Sequence, residues 1–156
     1  MPIVEIDIAE YFADEAKREA FLRLTEENRE EVEGRLAEKV GANLDVYAQL
    51  QEKGLLIFLG VFDEGEMVGY GCALLSPNLH YGYLMAVNDV VFVSAGYRKK
   101  GYGLQLMREM EKKVKEQGAR FMIWQAKMGS SLNKVLPRLG YRAEEINYIK
   151  ELENGV

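Results

Sequence analysis

The sequence predicts one α/β domain: a mixed, mostly antiparallel central sheet flanked by helices on both faces, in the order β-α-α-β-β-β-α-β-α-β. Three observations predict it. The apolar runs Leu55–Phe62 and Tyr83–Val93 are too continuous to leave one face in water, so both are expected to be covered on two sides. Segments of helical period stand before, between and after the strand-like runs. The chain has 156 residues, 48% hydrophobic and 29% charged, which is the length of one domain (residues 1–156) with enough apolar material for a core.

Taken in order, Ile3–Ile8 alternates Ile3, Glu5 and Asp7 against Val4, Ile6 and Ile8, the period of a strand. From Ala9 to about Glu52, Ala, Glu, Leu, Lys and Arg dominate without a proline. Phe21 and Leu24 suit one helix face; Val32, Leu36, Val40, Leu44, Tyr47 and Leu50 suit another. Two helices are expected, broken near Thr25–Asn28 with Thr25 as N-cap, and Gly34 and Gly41 weaken the second by roughly 1 kcal/mol each. Leu55–Phe62 and Met67–Leu75 form a hairpin around Asp63-Glu64-Gly65. Ser76-Pro77-Asn78 breaks the pattern, and Tyr83–Val93 is the next strand. Ser94–Gly103 is a glycine-rich basic loop. Leu104, Met107, Met110 or Glu111, and Val114 give a helix that Gly118 stops. Phe121–Ala126 is a strand, Ser130–Leu139 a short helix with Pro137 near its end, and Tyr141–Leu152 one or two final strands.

Composition excludes several classes. Lys and Arg total 20 against 25 Asp and Glu, a net charge of −5 with an isoelectric point near 5.1, so no nucleic-acid partner is expected. One cysteine, Cys72, rules out an internal disulfide framework, and one histidine, His80, rules out a multi-histidine metal centre. No apolar run reaches bilayer-spanning length and no signal peptide is read at the N-terminus, so no membrane partner and a cytoplasmic location are expected.

The sharpest motif runs from Val91 to Leu104. A strand enters a loop with spaced glycines, and a helix leaves it. Glycines let backbone N–H groups approach an anion closely, and the helix start adds unpaired N–H groups and the positive end of its dipole. Arg98, Lys99 and Lys100 add cations. This chemistry suits a phosphate or pyrophosphate; the competing reading is an ordinary surface turn. No Lys-Ser/Thr follows the second glycine, and Leu106 stands where a dinucleotide fingerprint has its third glycine.

Arg98-x-x-Gly101-x-Gly103 resembles the Arg/Gln-x-x-Gly-x-Gly/Ala signature of the GNAT N-acetyltransferase superfamily. The element order and Leu139-Gly140-Tyr141 resemble that family over nearly the whole chain. The resemblance implies acetyl-coenzyme A as donor and a splayed fourth and fifth strand that admits the pantetheine arm. It places the acetyl and pantetheine contacts on Val91 and Val93, and the pyrophosphate contacts on Arg98, Lys99, Lys100, Gly101, Tyr102 and Gly103. The sequence departs from the family where a tyrosine often protonates the leaving thiolate: Leu136 stands there, and Gly129 stands at the usual asparagine.

Acetyl transfer to an amine needs a proton acceptor, because an ammonium has no lone pair. Asp89 is the base candidate. It shares the parity of Val91 and Val93, and burial in an apolar strand would raise its pKa; the competing readings are a turn cap or a buried salt bridge. Asn88 is a candidate to orient a water or the substrate. Ser130, Ser131 and Asn133 flank the short helix as candidate hydrogen-bond partners of the thioester or pantetheine, against N-capping by either serine. Tyr148 in the last strand is a candidate acid, against simple packing, and an enzyme without a dedicated acid is a further alternative. His80 is placed near the acceptor mouth, Cys72 and Trp124 in the core, and the Glu26–Glu33 run on a solvated helix face, with attraction of a cationic acceptor as its alternative. Tyr97 and Tyr102 either cover the cofactor or lie on the surface.

The leading expectation is therefore an N-acetyltransferase acting on a primary amine, in a small molecule or a protein. The alternative is a non-catalytic acyl-coenzyme A-binding or scaffold protein on the same fold. A homodimer is a common outcome for this fold, and nothing in the sequence compels it.

Overall fold

The computed structural model describes residues 2–33 and 43–152, with side chains in the first stretch described through Glu31. The expectations for Gly34, Leu36, Val40, Gly41 and the Val32 side chain lie outside these. The chain forms two units, Met1–Gln125 and Ala126–Val156.

The first unit holds a five-stranded sheet in sequence order: β1 (Ile3–Glu5), β2 (Leu56–Asp63), β3 (Glu66–Pro77), β4 (Leu84–Val93) and β5 (Phe121–Ile123). The first three pairings are antiparallel and β4–β5 is parallel, so the sheet is mixed and mostly antiparallel as expected. Helices cover both faces. On one lies α4 (Tyr102–Glu116), whose Leu106, Met110 and Val114 pack with Ile57, Leu59, Val61 and Leu75. The other carries α1 (Ile8–Tyr11) and α2 (Glu15–Asn28), with Phe12, Phe21 and Leu24 against Phe58, Tyr70 and Phe92; Leu44, Tyr47 and Leu50 of α3 (Leu44–Glu52) join them partly buried. Each fully buried Phe or Leu stabilises by about 1.5–3 kcal/mol relative to exposure. Gly71 permits the close seat of α4: a Cβ there would lie 3.1 Å from the Leu106 Cδ1.

Several boundaries differ from expectation. β1 ends at Glu5, because the Asp7 carboxylate accepts from the Glu10 N–H at 3.0 Å and starts α1. Thr25 is not an N-cap. It lies inside α2, which Asp14 caps, and its hydroxyl donates to the Leu22 carbonyl at 2.8 Å. The helical period loosens only afterwards, in a π-helical turn Arg29–Glu33. In α4 it is Leu106, not Leu104, that is fully buried. β5 stops at Ile123, and Trp124 beyond it packs on the α4 side while its indole N–H donates to Glu111 at 2.9 Å.

The second unit contains α5 (Ser131–Arg138). Residues 141–152 carry no strand, contrary to expectation. Strand preference acts through cross-strand contacts, and no second strand is present among the described residues of this unit.

Candidate active site

The site is built along β4. Its first part is paired on both sides: Met85, Ala86 and Val87 lie opposite Phe121, Met122 and Ile123 of β5 and also pair with β3. The β5 ladder ends there, whereas β3 follows β4 to Val93. Where the two parallel strands part, Asn88 spans the gap. Its side-chain amide donates to the Gln125 carbonyl at 3.1 Å, and its side-chain oxygen accepts from the Gln125 N–H at 2.5 Å. Asn88 is buried and its amide is committed to this strut, so it is not placed to orient a water or a substrate.

The next residue is bulged. Cys72 of β3 pairs with Val90 and Ala73 with Asn88, so Asp89 is the extra residue. A bulge bends a strand and re-aims its side chains. Before it, the even-numbered Leu84 and Ala86 face the α4 side; after it, the odd-numbered Val91 faces that side, and Val90 and Phe92 face α1–α3. The parity expected to join Asp89 with Val91 and Val93 is therefore broken. Asp89 turns to the α3 side, where it accepts a hydrogen bond from the Tyr47 hydroxyl at 2.8 Å. It is exposed rather than buried, because the bulge lifts it out of the apolar strand, and no cation pairs with it among the described residues. Burial, reinforced by the Asp89 hydrogen bond, pushes the Tyr47 phenol far above its ordinary range, so Tyr47 keeps its proton and donates. Cys72 opposite the bulge is fully buried, and desolvation followed by the Asp89 charge pushes its thiol well up; it is an inert core residue, as expected.

Beyond Val93 the chain makes a 3-10 turn, Ala95–Lys100, and enters α4 through Gly101, whose φ of 77° is left-handed. Only glycine adopts that conformation readily. Among the described residues no side chain caps α4, and the N–H groups of its first turn, Tyr102 to Leu104, lie before the first internal bond, Gln105 N–H to the Gly101 carbonyl at 3.2 Å. A Cβ on Gly103 would meet nothing within 4 Å, so no packing inside the described protein requires glycine there. An open cradle of N–H groups at the positive end of a fifteen-residue helix suits an anion.

The three basic side chains do not act alike. The Arg98 Nε donates to the Val93 carbonyl at 2.8 Å, and its guanidinium pairs with Glu31. Lys100 pairs with Asp63 at 3.0 Å, and the Tyr102 hydroxyl donates to the same carboxylate. Those hydrogen bonds, Tyr102 first and then Lys100, hold Asp63 below the usual carboxylate range. Lys99 alone of the three is exposed with no side-chain partner among the described residues. Tyr97 and Tyr102 pack partly buried against the α4-side core, beneath the Lys100 ammonium.

Glu27, Glu31, Asp63 and Tyr47 escaped the sequence reading. The glutamate run is more than a solvated face. Glu27 and Glu31 are four apart, hence on one side of a helix. Glu27 accepts from the Ser94 hydroxyl at 2.8 Å and the Ala95 N–H at 3.2 Å, while Glu31 takes Arg98. The i, i+4 spacing opposite a basic loop was the available signal. Asp63 read only as a turn residue and Tyr47 only as a position on a helix face. His80 is exposed, edge-on to Tyr81 at 4.6 Å. It precedes β4 whereas the loop follows it, so ten strand residues, roughly 30 Å of extended chain, separate the two.

Ser131, Asn133 and Tyr148 belong to the second unit. Ser130 is the N-cap of α5, accepting from the Asn133 N–H at 3.2 Å, which is the capping alternative. Ser131 and Asn133 are exposed in the first turn of α5, and Tyr148 is 89% exposed outside any strand, so it is not a packed strand residue.

The model of the family described as "Acetyltransferase (GNAT) family" matches residues 10–140. No curated protein sequence matches the chain. Among solved structures, it resembles an aminoglycoside acetyltransferase from an uncultured soil metagenomic sample in complex with sisomicin (TM-score 0.74, 14% identity, covering 97% of this chain and 95% of that one). It also resembles a ribosomal-protein-alanine N-acetyltransferase from Brucella melitensis (0.73, 16%, 96% and 97%) and a glucosamine-6-phosphate N-acetyltransferase from Arabidopsis thaliana (0.69, 18%, 97% and 97%).

Proposed function

The chain belongs to the GNAT acetyltransferase family, and from that premise we propose that it transfers an acetyl group from acetyl-coenzyme A to a primary amine, with Asp89 as proton acceptor. One observation carries the reading. A single strand, β4, leaves its β5 partner after Val87, turns a carboxylate out at a bulge, and runs on to the uncapped start of α4. The bared edge of residues 88–93 offers backbone groups for an amide-rich pantetheine arm, with Val91 and Val93 as the acetyl and pantetheine contacts and the acyl end toward Asp89. The first-turn N–H groups of α4, the open side of Gly103 and the free Lys99 suit the pyrophosphate. Arg98 and Lys100, already paired, hold the loop in shape instead of binding phosphate directly.

The donor supplies an activated acyl carbon; the protein supplies placement and a proton acceptor. The amine nitrogen bonds to the thioester carbonyl carbon and the carbon–sulfur bond breaks. The amine proton passes to the Asp89 carboxylate and on to water, and the departing thiolate takes a proton from water. An uncompensated carboxylate attracts an ammonium, and it takes the proton of the neutral amine as the nitrogen bonds to the carbonyl carbon and its N–H becomes acidic. Asp89 has no cationic partner among the described residues, so an acceptor amine can fill that role. Leu136 in place of the usual tyrosine leaves solvent as the acid and favours a second reading, acyl-coenzyme A binding without turnover. Small-molecule amines and protein amino termini both remain acceptor classes, and a homodimer remains compatible with the fold.

Release of free thiol from acetyl-coenzyme A separates the two readings. The panel is an aminoglycoside, glucosamine 6-phosphate, a polyamine and a peptide with a free amino terminus. Amine-dependent release supports transfer. Tight coenzyme A binding with no release for any amine class supports the binding protein.

A further inference from the structure

Asp89 raises a question that the reading of it as a base leaves open. An exposed carboxylate on a bulge rotates freely unless something fixes it, and freezing it when the amine arrives would slow the reaction, since proton transfer needs the acceptor within hydrogen-bond reach. Among the described residues one group fixes it. Tyr47 projects from the middle of α3, across to the exposed edge of the bulge, and its hydroxyl donates to the Asp89 Oδ2 at 2.8 Å. Its ring is anchored, packed with Leu44, Ala48 and Leu50 against the core that contains Phe58, Tyr70 and Cys72. α3 is itself tied down beside β1 and α1. Gln51 accepts from the Ile8 N–H at 2.8 Å and donates to the Ile6 carbonyl at 2.6 Å. The donor is thus mounted on a helix fastened at both the ring and the helix end.

We propose that Tyr47 is the positioning residue for Asp89: its hydroxyl holds one carboxylate oxygen so that the other is presented, in a fixed orientation, to the incoming amine. The inference rests on the reading of Asp89 as proton acceptor. The anchored phenol replaces the strand ladder that would ordinarily hold a residue in β4 and that the bulge has released at this point. It also explains why a tyrosine whose ring packs partly buried against the core has its polar end at the rim.

The test is a double-mutant cycle in the full chain, using acetyl-coenzyme A and whichever amine of the panel is turned over fastest. Tyr47→Phe keeps the half-buried ring and removes only the donor. It is expected to lower kcat by roughly 10- to 100-fold, the worth of one hydrogen bond to a charged group, while KM for acetyl-coenzyme A and the melting temperature stay near wild type. In the Asp89→Asn background, Tyr47→Phe is expected to cost less than about twofold more, because residues in one network are non-additive. Tyr47→4-aminophenylalanine, which keeps the ring and restores an N–H donor at the same point, is expected to recover most of the lost kcat. Wild-type kcat in Tyr47→Phe alongside a large loss in Asp89→Asn overturns the positioning role and leaves the base standing. Fully additive losses in the double variant, or no recovery with 4-aminophenylalanine, also overturn it. Undiminished kcat in Asp89→Asn removes the base, and with it the premise of the inference.

Discussion

The two halves of β4 are made of similar residues and do different work. Leu84 to Val87 is ordinary sheet interior: a ladder on each side, side chains alternating, Ala86 buried among the α4-side core. Asn88 to Val93 keeps only β3 as a partner. Its lost ladder is replaced piece by piece, by the Asn88–Gln125 strut, by the Tyr47–Asp89 bond and by the Arg98 bond to the Val93 carbonyl. The difference teaches how a strand is freed for chemistry without coming apart. Backbone groups left unpaired for a ligand are exposed over a short stretch, and side-chain bonds from three separate elements hold that stretch in place.

Substitutions in the two halves should therefore fail differently. The largest effect is expected from Asp89→Asn in the freed half: steady-state turnover falls by roughly 10²–10⁴, the usual worth of a general base, while calorimetric coenzyme A affinity hardly changes. A lower melting temperature with turnover per folded molecule intact would make Asp89 structural. Next, Gly101→Val combined with Gly103→Val should weaken coenzyme A binding by roughly tenfold or more, a loss of about 1.4 kcal/mol per tenfold. The left-handed φ at Gly101 also adds about 1–2 kcal/mol of strain. Circular dichroism must show the variant folded, and unchanged affinity in a folded variant would move the anion site elsewhere.

Smaller effects sharpen the contrast. Asn88→Ala strips both bonds from Gln125 and should cost about 1–3 kcal/mol, with turnover lost beyond the stability change because the freed edge shifts. Ala86→Leu in the paired half should cost a similar ~1–3 kcal/mol by overpacking, with turnover per folded molecule retained; equal behaviour of the two would dissolve the comparison. The smallest effect belongs to the loop's outer brace. Asp63 is held below its reference value of 3.8 in the folded state. Its stabilisation is therefore present above the unfolded pKa and lost as pH falls through the lower folded value. Asp63→Asn should flatten the dependence of melting temperature on pH in that acid window and leave it unchanged near neutrality.

Much of this was legible in the sequence where periodicity and turn chemistry agree. The hairpin of β2 and β3, the strand β4 and the amphipathic α4 are each marked by residues that favour one local reading, and around Gly101 the strand before and the helix after favour an anion loop over a surface turn. What escaped depends on contacts between distant residues. A bulge carries no local mark, so Asp89 read as sharing Val91's face when one extra residue reverses it. Arg98 and Lys100 read as free cations because their partners, Glu31 and Asp63, are 67 and 37 positions away. Tyr47 read only as one position on a helix face because its ring packs there; its hydroxyl acts elsewhere, and its partner lies 42 residues on. The final strands read from Tyr141–Leu152 failed for the converse reason: alternation proposes a strand, but a ladder partner makes one.

The most direct test of the freed-edge account is amide hydrogen exchange along β4 with and without coenzyme A, at a concentration that calorimetry proves saturating. Ladder-bonded amides are already protected, and a ligand adds protection where it supplies missing partners. The account predicts new protection at the outward-facing amides of the freed stretch, Val91 and Val93, and at Tyr102, Gly103 and Leu104, with the β3-bonded amides between them and Met85, Ala86 and Val87 unchanged. Saturating coenzyme A that leaves 88–93 and the start of α4 exchanging as before, or that protects a different part of the chain, would contradict it.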